Sequence, residues 1–163
     1  MLKNNREKAL VIVTFTVLVF MVVSAIIGGW PGGNASTNGN EQIKQAVVAY
    51  YEKMPDNSYK IPEADMKKLV DGLDKSIYIL DIRDNKDFVK GHIAEAQNIP
   101  FRDVGKNLEK LPKDKDIIVY CYTGQTGGQT TALLNAVGFN ARSLNGGMNN
   151  GWAKAGYPVV EGN

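Results

Sequence analysis

The sequence predicts a three-layer α/β domain with a mostly parallel central sheet flanked by helices, preceded by an N-terminal hydrophobic helix. Two apolar runs, residues 77–80 and 117–120, are continuous rather than alternating, as expected of strands covered on both faces. Stretches with helical spacing separate the strand candidates, and this alternation favours crossover connections and parallel pairing. Residues 9–27 are nineteen positions without a charge, which as a helix would extend roughly 28 Å, about one bilayer core.

The elements follow in order. Residues 1–8 carry Lys3, Arg6 and Lys8 against Glu7, a basic flank for the apolar run. Residues 1–27 therefore read as a membrane anchor, with a cleaved signal peptide as the alternative, since both share a charged front and an apolar middle. In either case the remainder of the chain is expected outside the cytoplasm, held at the cell membrane as a single-pass protein or secreted after cleavage. Residues 28–40 (GGWPGGNASTNGN) are small, polar and uncharged, a flexible tether. Residues 41–58 form a leading helix with apolar positions at Ile43, Ala46, Val47 and Tyr50, ending before Pro55. Residues 59–163 form the main domain. There, a short strand at 59–61 precedes a helix over 62–71 that has proline in its first turn. The strand at 77–80 is followed by a helix over 85–90, an extended stretch at 96–99 and a helix around 101–111. After the strand at 117–120 come a turn over 122–128, a helix over 129–137 closed by Gly138, a strand near 139–144 and a last helix near 148–155.

Composition removes several functions. Without the three basic residues and Glu7 of the N-terminal flank, the 19 bases and 17 acids fall to 16 of each. The pI of 8.6 thus owes much to the membrane-flanking end, and no basic face argues for nucleic acid. One Cys and one His exclude an internal disulfide and a zinc site of the usual Cys and His ligands. No metal and no cofactor is expected.

The single cysteine, Cys121, stands where an apolar strand ends and a glycine-rich turn leads into a helix. Orphan amides of such a loop and first helical turn converge on a small volume and favour an anion, whether thiolate, persulfide or oxyanion. A buried cysteine often merely fills space. An ordinary core cysteine, however, has no need of Gly124, Gly127 and Gly128 within seven residues, whereas a backbone folded round a ligand does.

Three separated stretches resemble the rhodanese family of sulfurtransferases. The first runs over residues 81–100, with Asp81 and Arg83, then Asp87-Phe88, Gly91-His92-Ile93 and Ala96-Gln97-Asn98-Ile99-Pro100. The second is the Cys121 loop. The third holds Leu144-Asn145-Gly146-Gly147-Met148 through Trp152, then Gly156-Tyr157-Pro158-Val159. The resemblance covers about residues 59–160 and implies a rhodanese-like three-layer fold. It implies that Cys121 is the catalytic nucleophile, taking a sulfane sulfur from thiosulfate or a persulfide and passing it to a thiol or cyanide. It also implies that Tyr122, Thr123, Gly124, Gln125, Thr126 and Gly127 bind the substrate, chiefly through backbone amides.

Family members suited to thiosulfate often carry Arg or Lys in this loop, and this chain carries neither. A persulfide donor would suit a neutral loop, or a nearby Arg83, Arg102 or Arg142 would supply the missing cation. Asp81 and Arg83, just beyond a strand end, are expected to support loops rather than to react. The same fold family includes phosphatases with an arginine six positions after the cysteine. Here that position is Gly127, which removes the main grip on phosphoryl oxygens. A cysteine–histidine protease pairing with His92 is set aside, because His92 lies in a stretch that resembles a structural turn. A substrate-free scaffold near the membrane and a binding or thiol-sensing module are the non-enzymatic alternatives. With no second cysteine, an oxidised or sulfur-loaded Cys121 needs an outside molecule to discharge it.

Overall fold

A computed structural model describes residues 35–162. The apolar run at 9–27 lies outside these residues, and among those described no helix is long and apolar enough to cross a membrane. Residues from Ile43 onward form one compact unit, which carries the whole sheet. Helix α1, Ala35–Glu52, begins inside the stretch read from sequence as a tether and ends before the turn at 53–59. With Ala35, Ser36 and Thr37 at its start, small residues that serve in loops also serve in a first helical turn.

The elements that follow are β1 (Lys60–Ile61), α2 (Glu63–Asp71), β2 (Ile77–Asp81), α3 (Asn85–Lys90) and β3 (Gln97–Asn98), then β4 (Asp116–Tyr120), α4 (Gln125–Ala136) and β5 (Asn140–Leu144). Two short 3₁₀ turns, Phe101–Asp103 and Gly105–Lys110, replace the single helix expected over 101–111. Gly105 interrupts that stretch, and each piece is too short for more than one or two turns. The last helical segment is a π-helical turn, Gly147–Trp152.

All the strands pair in parallel, in the order β1-β5-β4-β2-β3. Strand β4 is central, its Ile118 beside Ile79 of β2 and its Val119 beside Ser143 of β5. Its β-branched run is covered on both faces, so the alternate residues enter two separate cores. On one face Ile118 and Tyr120 join Ile79, Leu144, Met66 of α2, Phe88 of α3 and Trp152. On the other, Ile117, Val119 and Cys121 join Leu80, Ala141, Leu134 of α4 and Val104 of the 3₁₀ region. The expected three layers with a parallel sheet are therefore present.

The order has a functional consequence. From β2 the chain moves outward to β3, whereas from β4 it moves the opposite way to β5. The carboxyl ends of β2 and β4 thus flank a point where the winding reverses, the place where open α/β sheets leave a crevice. Asp81 ends β2, and Cys121 comes directly after β4.

Candidate functional site

Cys121 is 2% exposed, and its Sγ is held by the backbone that follows it. The Gly124 amide donates to the sulfur at 3.1 Å and the Gly127 amide at 3.3 Å. Gly124 caps α4 in the left-handed region, with φ +93, and this turns the chain back over the thiol. Helix α4 starts at Gln125, four residues before the sequence suggested. The reason is that Gly127 and Gly128, read as loop, sit inside its first turn, where Gly128 N–H donates to the Gly124 carbonyl at 3.0 Å. A side chain at Gly127 would begin 3.0 Å from Ser143 Oγ and 3.6 Å from Sγ, so the helix presses close to the sulfur. Gly128, in contrast, faces open space. Two of the three loop glycines, not all three, answer to the geometry.

The resulting cradle brings two amides onto one sulfur at the N-terminus of a twelve-residue helix. Partial positive charge there stabilises negative charge on sulfur or on a group attached to it. Gln125 is exposed, Thr126 half-buried and Thr123 exposed, so their side chains surround the cradle without filling it.

A second layer fixes the cradle from behind. Met148 N–H donates to the Cys121 carbonyl at 2.8 Å, and Asn149 N–H to the Tyr122 carbonyl at 2.7 Å. Both donors follow Gly146 and Gly147, which have φ +67 and +59 and open the π-helical turn. A Cβ on Gly147 would lie 2.5 Å from the Cys121 carbonyl oxygen. These two glycines make a tight turn, and the amides just beyond them buttress the cradle. Trp152, fully buried, anchors the turn and donates from Nε1 to the Pro158 carbonyl at 2.9 Å.

Asp81 and Arg83 form a buried pair, 0% and 5% exposed. Arg83 Nη2 donates to Asp81 Oδ2 at 2.6 Å and to the Gly91 carbonyl at 2.8 Å, while Nε bonds both carboxylate oxygens. Burial alone would lower the Arg83 guanidinium, but its hydrogen bonds to and the charge of Asp81 raise it above its ordinary value. Asn98, not singled out from sequence for any role, donates through Nδ2 to the Asp81 and Arg83 carbonyls at 3.0 Å each. Its place in the Ala96-Gln97-Asn98-Ile99-Pro100 stretch was the available signal. The guanidinium also lies over the Tyr120 and Tyr122 rings, at 5.4 and 6.0 Å. Burial, then the charge of Asp81, pushes the Tyr120 hydroxyl well above its usual range.

Tyr122, the first loop residue, turns away from the sulfur. Its hydroxyl donates to Asp87 Oδ2 at 2.7 Å and accepts from the Asp84 amide at 3.2 Å. Among the predicted binding residues it therefore serves as a strut, with the backbone of 124–127 nearest the reacting atom.

Of the cations suggested as substitutes for a loop arginine, Arg142 and Arg83 are engaged elsewhere. Arg142 pairs with Asp116, which opens β4, while Cys121 lies beyond the opposite end of that strand. Arg83 is committed to Asp81 and Gly91. Arg102 is exposed in the first 3₁₀ turn. His92 stacks on Phe88 with ring centroids 3.7 Å apart, and its Nδ1 lies 2.9 Å from the Phe88 carbonyl. These bonds, together with backbone pairing to Val160, give His92 a place in the fold.

Comparison with known proteins bears on this arrangement. Residues 62–155 match the family described as rhodanese-like domain. The chain is 30% identical over 87 residues to a sulfurtransferase from Allochromatium vinosum, covering 53% of this chain and 80% of that protein. It is 29% identical over 105 residues to thiosulfate:glutathione sulfurtransferase from Saccharomyces cerevisiae, covering 56% of this chain and 76% of that one. The crystal structure of a rhodanese-related protein from Thermoplasma volcanium is similar with a TM-score of 0.57 at 30% identity, covering 62% of this chain and 96% of that one.

Proposed function

The chain belongs to the rhodanese-like domain family, and from that membership we propose that it is a sulfurtransferase that carries sulfur as a persulfide on Cys121. The observation that carries this reading is the convergence of the Gly124 and Gly127 amides on Sγ, 3.1 and 3.3 Å away. Donors set in place before the reaction stabilise charge on the sulfur without reorganising during it.

With thiosulfate, the Cys121 thiolate attacks the outer sulfur. The sulfur–sulfur bond of the donor breaks, sulfite leaves with its electron pair, and Cys121 holds the persulfide. With a small persulfide as donor, a thiolate leaves instead. Acceptor then reacts with the loaded enzyme, so donor and acceptor kinetics are ping-pong. The loop itself contributes only neutral groups, and this favours a donor of lower charge than the thiosulfate dianion. In this reading residues 9–27 hold the domain at the outer face of a membrane, supported by their nineteen uncharged positions and basic flank.

Intact-protein mass spectrometry of the 163-residue chain in detergent, after incubation with thiosulfate or a small persulfide, tests the proposal. Gain of one sulfur atom at Cys121, discharged by cyanide or a thiol, is expected, and Cys121→Ser abolishes it without unfolding the domain. No gain with any donor would favour the binding or sensing module instead.

A further inference from the structure

A hollow of about 500 Å³ opens between α1, the end of α4 and the 3₁₀ region. Each helix presents an apolar stripe to it. Ile43, Ala46 and Val47 follow at helical spacing on α1, and Leu133, Leu134 and Val137 do so where α4 ends. Phe101, Val104 and Leu108 supply the third wall. Of the twelve large apolar residues exposed among those described, five line this one hollow, with Ile43 at 65%, Leu133 at 67% and Val137 at 61%. Scattered apolar residues are ordinary on a surface, whereas a contiguous patch marks a place of interaction.

The chemistry of the lining selects the occupant. None of the lining residues is charged, and the one with a polar side chain, Thr130, is 3% exposed. A protein partner brings polar groups that need counterparts across the interface. Hydrocarbon needs none. Chain length then selects the source of the hydrocarbon. Seven residues, 28–34, join the uncharged run at 9–27 to α1 and reach at most about 25 Å even when fully extended. Ile43 lies eight residues into the helix, about 12 Å further on.

We propose that this hollow is the face by which the domain docks on the lipid bilayer that holds residues 9–27. The inference rests on the reading of those residues as an anchor. So short a link keeps the apolar face at an effective concentration on the order of millimolar beside the lipid, and a weak interfacial affinity then suffices to populate the docked state. The two ends of α4 serve different tasks. Gln125, at the cradle, and Leu133, in the hollow, are separated by about 12 Å of helix, so the docked domain holds Cys121 clear of the lipid contact.

The test places the 163-residue chain, methyl-labelled at Ile, Leu and Val, in phosphatidylcholine nanodiscs with and without a doxyl-labelled phosphatidylcholine. Methyl NMR signals of Ile43, Val47, Leu133 and Val137 should broaden several-fold more than those of Leu73 and Val159, which are also exposed but do not line the hollow. Leu133→Asp should bring the other three down to the level of Leu73, with Tm little changed because the position is on the surface. Equal broadening at all these methyls, in a chain seated in the discs, overturns the docking face and leaves the anchor standing. A chain that fails to enter the discs overturns the anchor and the docking with it. Methyls of the hollow that resist both the lipid label and a soluble gadolinium chelate report a cover made of protein, a second copy or residues 9–34, and overturn the lipid occupant.

Discussion

The hydroxyl of Tyr122, next in sequence to the cysteine, donates to the carboxylate of Asp87 on α3. A loop that ends one strand is thereby tied to the helix that follows another. The Tyr122 hydrogen bond, ahead of the weaker influence of Lys90, holds the Asp87 carboxyl below its ordinary range. A depressed carboxylate stabilises the fold above its unfolded value of about 3.9 and loses that contribution as pH falls through the folded value. Tyr122→Phe should therefore move the Asp87 titration upward in carboxyl NMR. The Tm gap between variant and wild type, open near neutral pH, should close below about pH 4. An unmoved Asp87 midpoint would remove the strut.

Gly147→Ala is expected to damage the site more than the fold. The left-handed backbone alone costs an alanine about 1–2 kcal/mol, and its Cβ would press on the Cys121 carbonyl oxygen and the Gly124 amide, 2.5 and 2.7 Å away. Relief requires the cradle to shift, and displacements of that kind lower rates by one to two orders of magnitude. The measurement is kcat at a temperature where circular dichroism shows the variant folded. Wild-type kcat there would mean that the Gly147 turn does not support the cradle.

Asp81→Asn leaves the Arg83 guanidinium buried beside a neutral amide. Loss of one partner of such a pair costs about 3–5 kcal/mol, read as a lower urea midpoint. The double replacement Asp81→Leu with Arg83→Met should recover most of that stability, since it removes both charges together. Recovery would mark the pair as a folding device; failure to recover would assign the guanidinium work beyond its bond to Asp81.

Gln125→Arg places a cation at the first position of α4, beside a neutral cradle. Thiosulfate KM should fall by up to about fivefold, with the gain confined to low ionic strength. An unchanged KM in dilute buffer would exclude loop charge as a determinant of donor choice.

Much of this architecture was legible because the core strands are covered on both faces, so that residues 77–80 and 117–120, within Ile77–Asp81 and Asp116–Tyr120, advertise themselves as continuous apolar runs. The cradle was legible in kind, from a cysteine at a strand end followed by glycines. Its dimensions were not. Gly127 and Gly128 resemble loop in any local reading, yet they lie inside α4, where the close approach of Gly127 to Sγ and Ser143 leaves no room for a side chain. The partner of Tyr122 is 35 residues distant, and that of Arg142 is 26 residues distant. No periodicity encodes such separations.

Both outer strands of the sheet, β1 and β3, are only two residues long. Each border therefore offers too few free backbone groups to template a neighbouring chain. Copies crowded together on one surface would find little purchase for joining sheet to sheet. Among the described residues the sheet thus lacks a long free border through which copies could join edge to edge.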